Sequence, residues 1–125
     1  MTLFGDRVRE LRRKKKVTAT VMAKALGVSS AYLSALEHGK RGRPTDGFVH
    51  QIQAYFGLIW EEADALRRLS ELSSTRVTVN TVGLSSKATE FSNRLSEAIH
   101  RLDDSQLDSL LAELCDPTEN GGPEH

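Results

Sequence analysis

Apolar residues recur along the first half of the chain at three- and four-residue steps, and small polar residues break the rhythm where helices would begin and end. Leu3, Phe4, Val8 and Leu11 share one face of a helix expected over residues 3–15. Thr18 then offers a hydroxyl to the free N–H groups of a second helix, in which Val21, Met22, Ala25 and Leu26 continue the spacing. Gly27 ends that helix, because the residue just past a helix terminus commonly needs positive φ, which glycine adopts without a Cβ penalty. Val28 plugs the corner, Ser29 caps a third helix over residues 30 to about 38 with Leu33 and Leu36 inward, and Gly39 stops it. Thr45 caps a fourth helix carrying Phe48, Ile52 and Phe56 as far as Gly57. A fifth is expected over residues 58 to about 73, packing on the fourth through Ile59, Ala63, Leu66 and Leu69, with Trp60 at its start.

Beyond residue 75 the pattern changes. Residues 76–82 alternate as a short strand would, with Val77 and Val79 on one face and Arg76, Thr78 and Asn80 on the other. A lone strand in a helical chain cannot satisfy its own hydrogen bonds, so the pattern asks for a partner, most simply the same strand of a second copy. After Gly83, Ser85 or Ser86 caps a helix with Ala88, Phe91, Leu95, Ala98 or Ile99, and Leu102 on one stripe. Asp103 and Gln106 have capping-box spacing ahead of a last helix with Leu107, Leu110, Leu111 and Leu114. A helical hairpin of about 30 residues encloses too little interior for a core of its own, so it is expected to dimerise through Val77, Val79, Phe91, Leu95 and Leu102. The reading is mainly α: a five-helix domain over residues 1–75, a dimerisation strand and helical hairpin over 76–115, and a disordered tail over 116–125 rich in Gly, Pro and Glu.

Two short helices joined by so tight a turn, with small Ala23 where they approach most closely, make a helix-turn-helix. The run M-A-x-x-L-G-V-S-x-x-Y-L-S-x-L-E-x-G over residues 22–39 resembles the DNA-binding core of the Xre family, the bacterial and phage repressors related to Cro, and the likeness covers roughly residues 3 to 57. The resemblance implies a phage-repressor-like fold in which the second helix of the motif enters the major groove and the first lies across the backbone. It places Ser29, Ser30, Ala31, Ser34 and Ala35 toward base edges. These are small where relatives often carry Gln, Asn or Arg, so specificity would rest on hydroxyls, methyl contacts, bridging water and DNA shape. Tyr32 either hydrogen-bonds a phosphate or sits at the core edge. Lys40, Arg41 and Arg43, in a loop constrained by Gly42 and Pro44, match the family's Lys-x-x-Arg-Pro segment that follows the backbone. Thr18 and Thr45 cap helices whose N-terminal amides can meet phosphate. The resemblance also implies a structural ion pair between Arg12 and Glu37.

Net charge conceals this. The chain balances 17 basic against 17 acidic residues, but residues 1–57 carry eleven Lys and Arg against four acids, and the rest six against thirteen. A basic front half points to phosphate. No phosphate-cradling glycine loop is present, and His38, His50, His100 and His125 lack metal-ligand spacing with one another or with Cys115, so neither enzyme, cofactor nor metal is expected. The lone cysteine permits no intrachain disulfide, and no apolar run is long enough for a membrane span or signal peptide, so a cytoplasmic location is expected.

The expected function is a sequence-specific, DNA-binding transcriptional regulator, a homodimeric repressor on a palindromic operator in double-stranded DNA. A second reading stays open at this stage: an antitoxin or adaptor whose C-terminal helices bind a protein partner.

Overall fold

A computed structural model describes residues 1–115; the expected tail over 116–125 lies outside them. Seven α-helices follow in order: α1 Leu3–Lys15, α2 Ala19–Leu26, α3 Ser30–Glu37, α4 Asp46–Tyr55, α5 Trp60–Glu71, α6 Ser86–Ala98 and α7 Asp104–Leu114, with one 3-10 turn at Ile99–Arg101. They fall into two compact units, residues 1–78 and the chain from Val79 onward.

Local chemistry sets most helix ends in the first unit. Hydroxyl caps receive the opening amides of four helices: Thr2 from Gly5 at 3.0 Å, Thr18 from Val21 at 3.1 Å, Ser29 from Tyr32 at 3.0 Å and Thr45 from Phe48 at 3.1 Å. Gly27 sits at φ 75° and its amide closes back on α2. Lys16 ends α1 in the same left-handed region at φ 60°, a conformation costing a side-chain-bearing residue about 1–2 kcal/mol. With α2 and α3 fixed around that corner, one core forms from Phe4, Val8 and Leu11 of α1, Met22 and Ala23 of α2, Leu33 and Leu36 of α3, Phe48, Val49 and Ile52 of α4, and Leu66 of α5. Helix α1 packs on α3 and α5, and α4 packs on α2 and α5.

Two contacts fix how α1 meets the end of α3. Gly5 is buried there, and a Cβ on it would stand 2.5 Å from the Leu36 carbonyl oxygen and 2.8 Å from that of Glu37. Only hydrogen fits. Arg12 meets Glu37 in a fork, Nε to Oε2 at 2.8 Å and Nη2 to Oε1 at 2.9 Å, while its Nη1 donates to the Val17 carbonyl at 3.2 Å. The Glu37 side chain is 2% exposed and that of Arg12 18%. Hydrogen bonding to Glu37 holds the Arg12 guanidinium above its already high pKa, against an opposing effect of burial. A raised folded pKa means that Arg12's contribution is fully present below the unfolded arginine's pKa and is lost only in strong alkali.

Several expectations need correction. Leu3 and Val21 match the helical spacing but are more than half exposed, since each lies at the margin of its apolar stripe. Helix α5 starts at Trp60 rather than Leu58, and Ile59 and Trp60 are exposed, the tryptophan at 81%. Its first turn has no side-chain cap, and Trp60 sits at φ 50°. The expected strand over residues 76–82 is absent: Val77 and Val79 are exposed in irregular backbone, because no second strand among the described residues supplies ladder partners.

In the second unit, Ser85 caps α6 and Asp103 with Gln106 forms a reciprocal capping box on α7, with amide contacts of 2.8 and 2.9 Å. Yet no side chain of α6, the 3-10 turn or α7 is buried. Leu95 and Leu102 are half-buried and Phe91 is exposed, so the expected hairpin does not close into a packed core of its own. No single helix among the described residues is long and apolar enough to cross a membrane.

Two outcomes follow for the first unit. Arg12→Ala strands the Glu37 carboxylate in the core and lowers unfolding free energy by about 3 kcal/mol in denaturant titration, whereas exposed Arg13→Ala changes it by less than about 0.5 kcal/mol. Equal effects would contradict a buried pair. Gly5→Ala drives a methyl into two carbonyls and costs about 1–3 kcal/mol by the same titration; an unchanged midpoint would mean that α1 and α3 are not in close contact.

Candidate nucleic-acid interface

Helix α3 buries Leu33, Leu36 and Glu37 and leaves Ser30, Ala31 and Ser34 exposed on its opposite side, with Ala35 half-buried. Ser29 is exposed at the N-cap with its hydroxyl engaged by the Tyr32 amide. A small, flat face of hydroxyls and methyls therefore stands beyond the core, as side-chain volume at these positions would predict. Thr18 at the start of α2 and Thr45 at the start of α4 are likewise exposed, and both hydroxyls accept a backbone amide of their own helix. A hydroxyl that accepts an amide still carries its own proton to donate, so a phosphate can be met without breaking the cap.

The basic loop leaves the end of α3 under restraint. Ala35 is the hub: its carbonyl accepts the Lys40 amide at 2.9 Å and the Arg41 amide at 3.3 Å, so the chain folds back on α3. At the far side Pro44 is buried, which sets the direction into α4. Lys40, Arg41 and Arg43 project as exposed cations between these two anchors. Arg43 donates to Asp46 at 3.0 Å, a partly neutralising surface pair worth little on its own.

Tyr32 sits at the core edge. Its ring lies edge-to-face on Phe48 with centroids 5.6 Å apart, half-buried at the rim of the core, and the Arg41 guanidinium sits 5.5 Å over it. The ring thus ties α3, α4 and the loop together. Between the N-termini of α3 and α4 lies a shallow recess of about 660 Å³ whose walls include Val28, Ser29, Tyr32, Thr45, Phe48 and Gln51. Sequence reasoning missed Gln51. It is a polar residue on the exposed side of α4, and nothing in its neighbours distinguishes it from ordinary surface until α3 is placed beside it.

The buried Arg12–Glu37 pair is internally neutral, whereas the exposed cations of the first unit include those of the loop, Lys24 on α2, and the run of Arg13, Lys14, Lys15 and Lys16 at the end of α1. Among these Lys15 lies 5.2 Å over the Tyr55 ring. Among the described residues no group of three His, Cys, Asp or Glu side chains is placed to hold a metal ion.

A helix-turn-helix domain model matches residues 3–66, just over half of the 125-residue chain. Two curated proteins of Bacillus subtilis strain 168 resemble the same region. The HTH-type transcriptional regulator RghRB is 39% identical over 61 residues, 49% of this chain and 44% of its own length. The HTH-type transcriptional repressor RghR is 38% identical over 52 residues, 42% of this chain and 38% of its own. The chain thus spans less than half the length of either relative. No solved structure matches at comparable significance. The domain match, the likeness to both relatives and a Gly27 corner between capped α2 and α3 agree: the protein belongs to the helix-turn-helix family, as an Xre-like member.

Proposed function

We propose that this protein is a sequence-specific DNA-binding transcriptional regulator acting as a homodimeric repressor on a palindromic operator. The observation that carries the reading is the juxtaposition on one face of the exposed N-terminal half of α3 with the restrained cations Lys40, Arg41 and Arg43. Helix α3 enters the major groove, α2 crosses the backbone, and the loop follows the phosphates beside them. Cations there set affinity and register, while Ser29, Ser30, Ala31 and Ser34 read base edges with short side chains and bridging water. Sequence-dependent DNA shape supplies the rest of the discrimination, since no long amide or guanidinium reaches from α3 into the groove. Repression is the reading because RghR is named a repressor.

Dimerisation is supported by the second unit. Its helices bury no side chain, yet Phe91, Ile99, Leu110, Leu111 and Leu114 stand exposed along them. Isolated helices of this length are marginal in water, and covering that apolar surface with a second copy removes it from solvent. A two-fold pair places two α3 helices in successive major grooves, roughly 34 Å apart. The same exposed surface also favours a second reading, an antitoxin-like or adaptor role in which a different protein covers α6 and α7. Its location is expected to be cytoplasmic, where the DNA is.

Salt titration tests the DNA face. Lys40→Gln and Arg43→Gln each flatten the slope of log affinity against log salt by about 0.9 per lost phosphate contact and weaken binding to all duplexes alike. Slopes equal to wild type would remove the loop from the interface. Light scattering tests the second unit: the wild type runs at twice the chain mass and Phe91→Glu at the monomer mass. A monomeric wild type that forms a complex only with another protein would favour the adaptor reading instead.

A further inference from the structure

The residue at the centre of the basic loop, Gly42, has no conformational reason to be glycine. It is absent from the positive-φ positions, which are Lys16, Gly27, Gly39, Gly57, Trp60 and Gly83. Its reason is space. A Cβ on Gly42 would stand 3.1 Å from the Thr75 amide nitrogen, 3.2 Å from the Thr75 Oγ1 and 3.4 Å from the Ser73 carbonyl oxygen. The chain leaving α5 therefore runs directly behind the loop that carries Lys40, Arg41 and Arg43.

That chain is itself anchored. Ser73 is 2% exposed; its hydroxyl accepts the Phe4 amide at 3.2 Å and donates to the Leu69 carbonyl at 2.7 Å. Its amide donates to the Ser70 carbonyl at 3.2 Å, and the Ser70 hydroxyl in turn donates to the Arg67 carbonyl at 2.6 Å. Ser73 is thus held to α1 and to the end of α5, two elements of the core, and the chain that leaves it passes close beside Gly42 at Thr75.

We infer that residues 73–75 are a positioning brace for the basic loop, with Gly42 the contact point and Thr75 the residue that bears on it. The inference rests on the DNA-binding reading above. The loop has three supports: the Ala35 carbonyl at its start, buried Pro44 at its end, and the brace between them. The first two fix where the loop leaves and rejoins the core, and Arg41 over Tyr32 and Arg43 on Asp46 hold two of its side chains; the third bears on the backbone at its middle, and so on how far Lys40, Arg41 and Arg43 stand out together. Phosphate binding grows with the number of contacts made at once, so a loop whose middle is pushed outward loses one of them without losing any cation. The brace also lies only a few residues ahead of Val79, where the second unit begins.

The test uses the full-length chain, a short random-sequence duplex as probe, and fluorescence anisotropy between about 50 and 200 mM salt. Gly42→Ala, which adds one methyl and removes no charge, is expected to flatten the salt slope by about one unit and to weaken binding by roughly 3- to 10-fold at the lower salt. Its melting temperature should stay close to wild type, since the loop is exposed. Thr75→Gly, which adds no bulk, should flatten the slope in the same direction, and Thr75→Ser, which keeps the hydroxyl, should restore it. Wild-type binding with an unchanged slope in Gly42→Ala overturns the brace. Should Gly42→Ala fail to fold, an unchanged slope in Thr75→Gly overturns it equally. A wild-type chain that binds no duplex at all would instead remove the DNA-binding reading on which the brace depends.

Discussion

The geometry of the first unit depends on Arg12. From the last turn of α1 its guanidinium binds both oxygens of Glu37 at the end of α3 and the Val17 carbonyl in the turn before α2. One side chain therefore joins three segments whose relative placement decides where the face of α3 points. Such a pair adds little net stability, because removing two charges from water costs about as much as their attraction returns. Its effect is on choice of arrangement: any packing of α1 against α3 that separates the pair leaves a carboxylate buried alone. Gly5 acts in the same sense by contact rather than charge, letting the α1 backbone meet the carbonyls of Leu36 and Glu37.

What this rigidity presents is a face with small side chains. Ser30, Ala31 and Ser34 bring little reach and little conformational entropy to order, so in the proposed complex a duplex would approach the α3 backbone closely while Lys40, Arg41 and Arg43 engage phosphates from the adjoining loop. Tyr32 converts the core into part of that face by packing on Phe48 from within and beneath Arg41 from without. On the function proposed above, affinity is concentrated in the loop, and discrimination is left to short hydroxyls, water and the deformability of the DNA, a division that follows from side-chain size.

What was legible in the sequence was whatever local chemistry decides. Caps at Thr18, Ser29, Thr45 and Asp103, the left-handed corner at Gly27 and the bounds of α1 all follow from residues within a few positions of one another, whereas Ser85 and Ser86 were equally good caps for α6 until the backbone chose Ser85. The Arg12–Glu37 pair was reachable only through family resemblance, since 25 residues separate its partners. Features made by distant segments were invisible. Gly5 reads as an unremarkable glycine and Gly42 only as a turn residue until the Leu36 carbonyl and Thr75 are brought beside them, and Gln51 reads as surface until α3 stands next to α4. The alternation at Val77 and Val79 misled for the complementary reason: pattern can suit a strand, but a strand needs a ladder, and none of the described residues provides one. Ile59 misled because apolar identity was taken as burial, whereas α5 turns its Leu66 face inward and leaves Ile59 and Trp60 in solvent.

The central claim is that the exposed side of α3 and the loop after it form one surface for duplex DNA. Mapping amide chemical shifts while adding a short duplex to isotope-labelled protein tests it residue by residue. The account predicts that the largest changes fall on residues 29–34 and 40–45, with α5 and α6 unmoved. Changes concentrated on α6 and α7, with α3 and the basic loop silent, would contradict it.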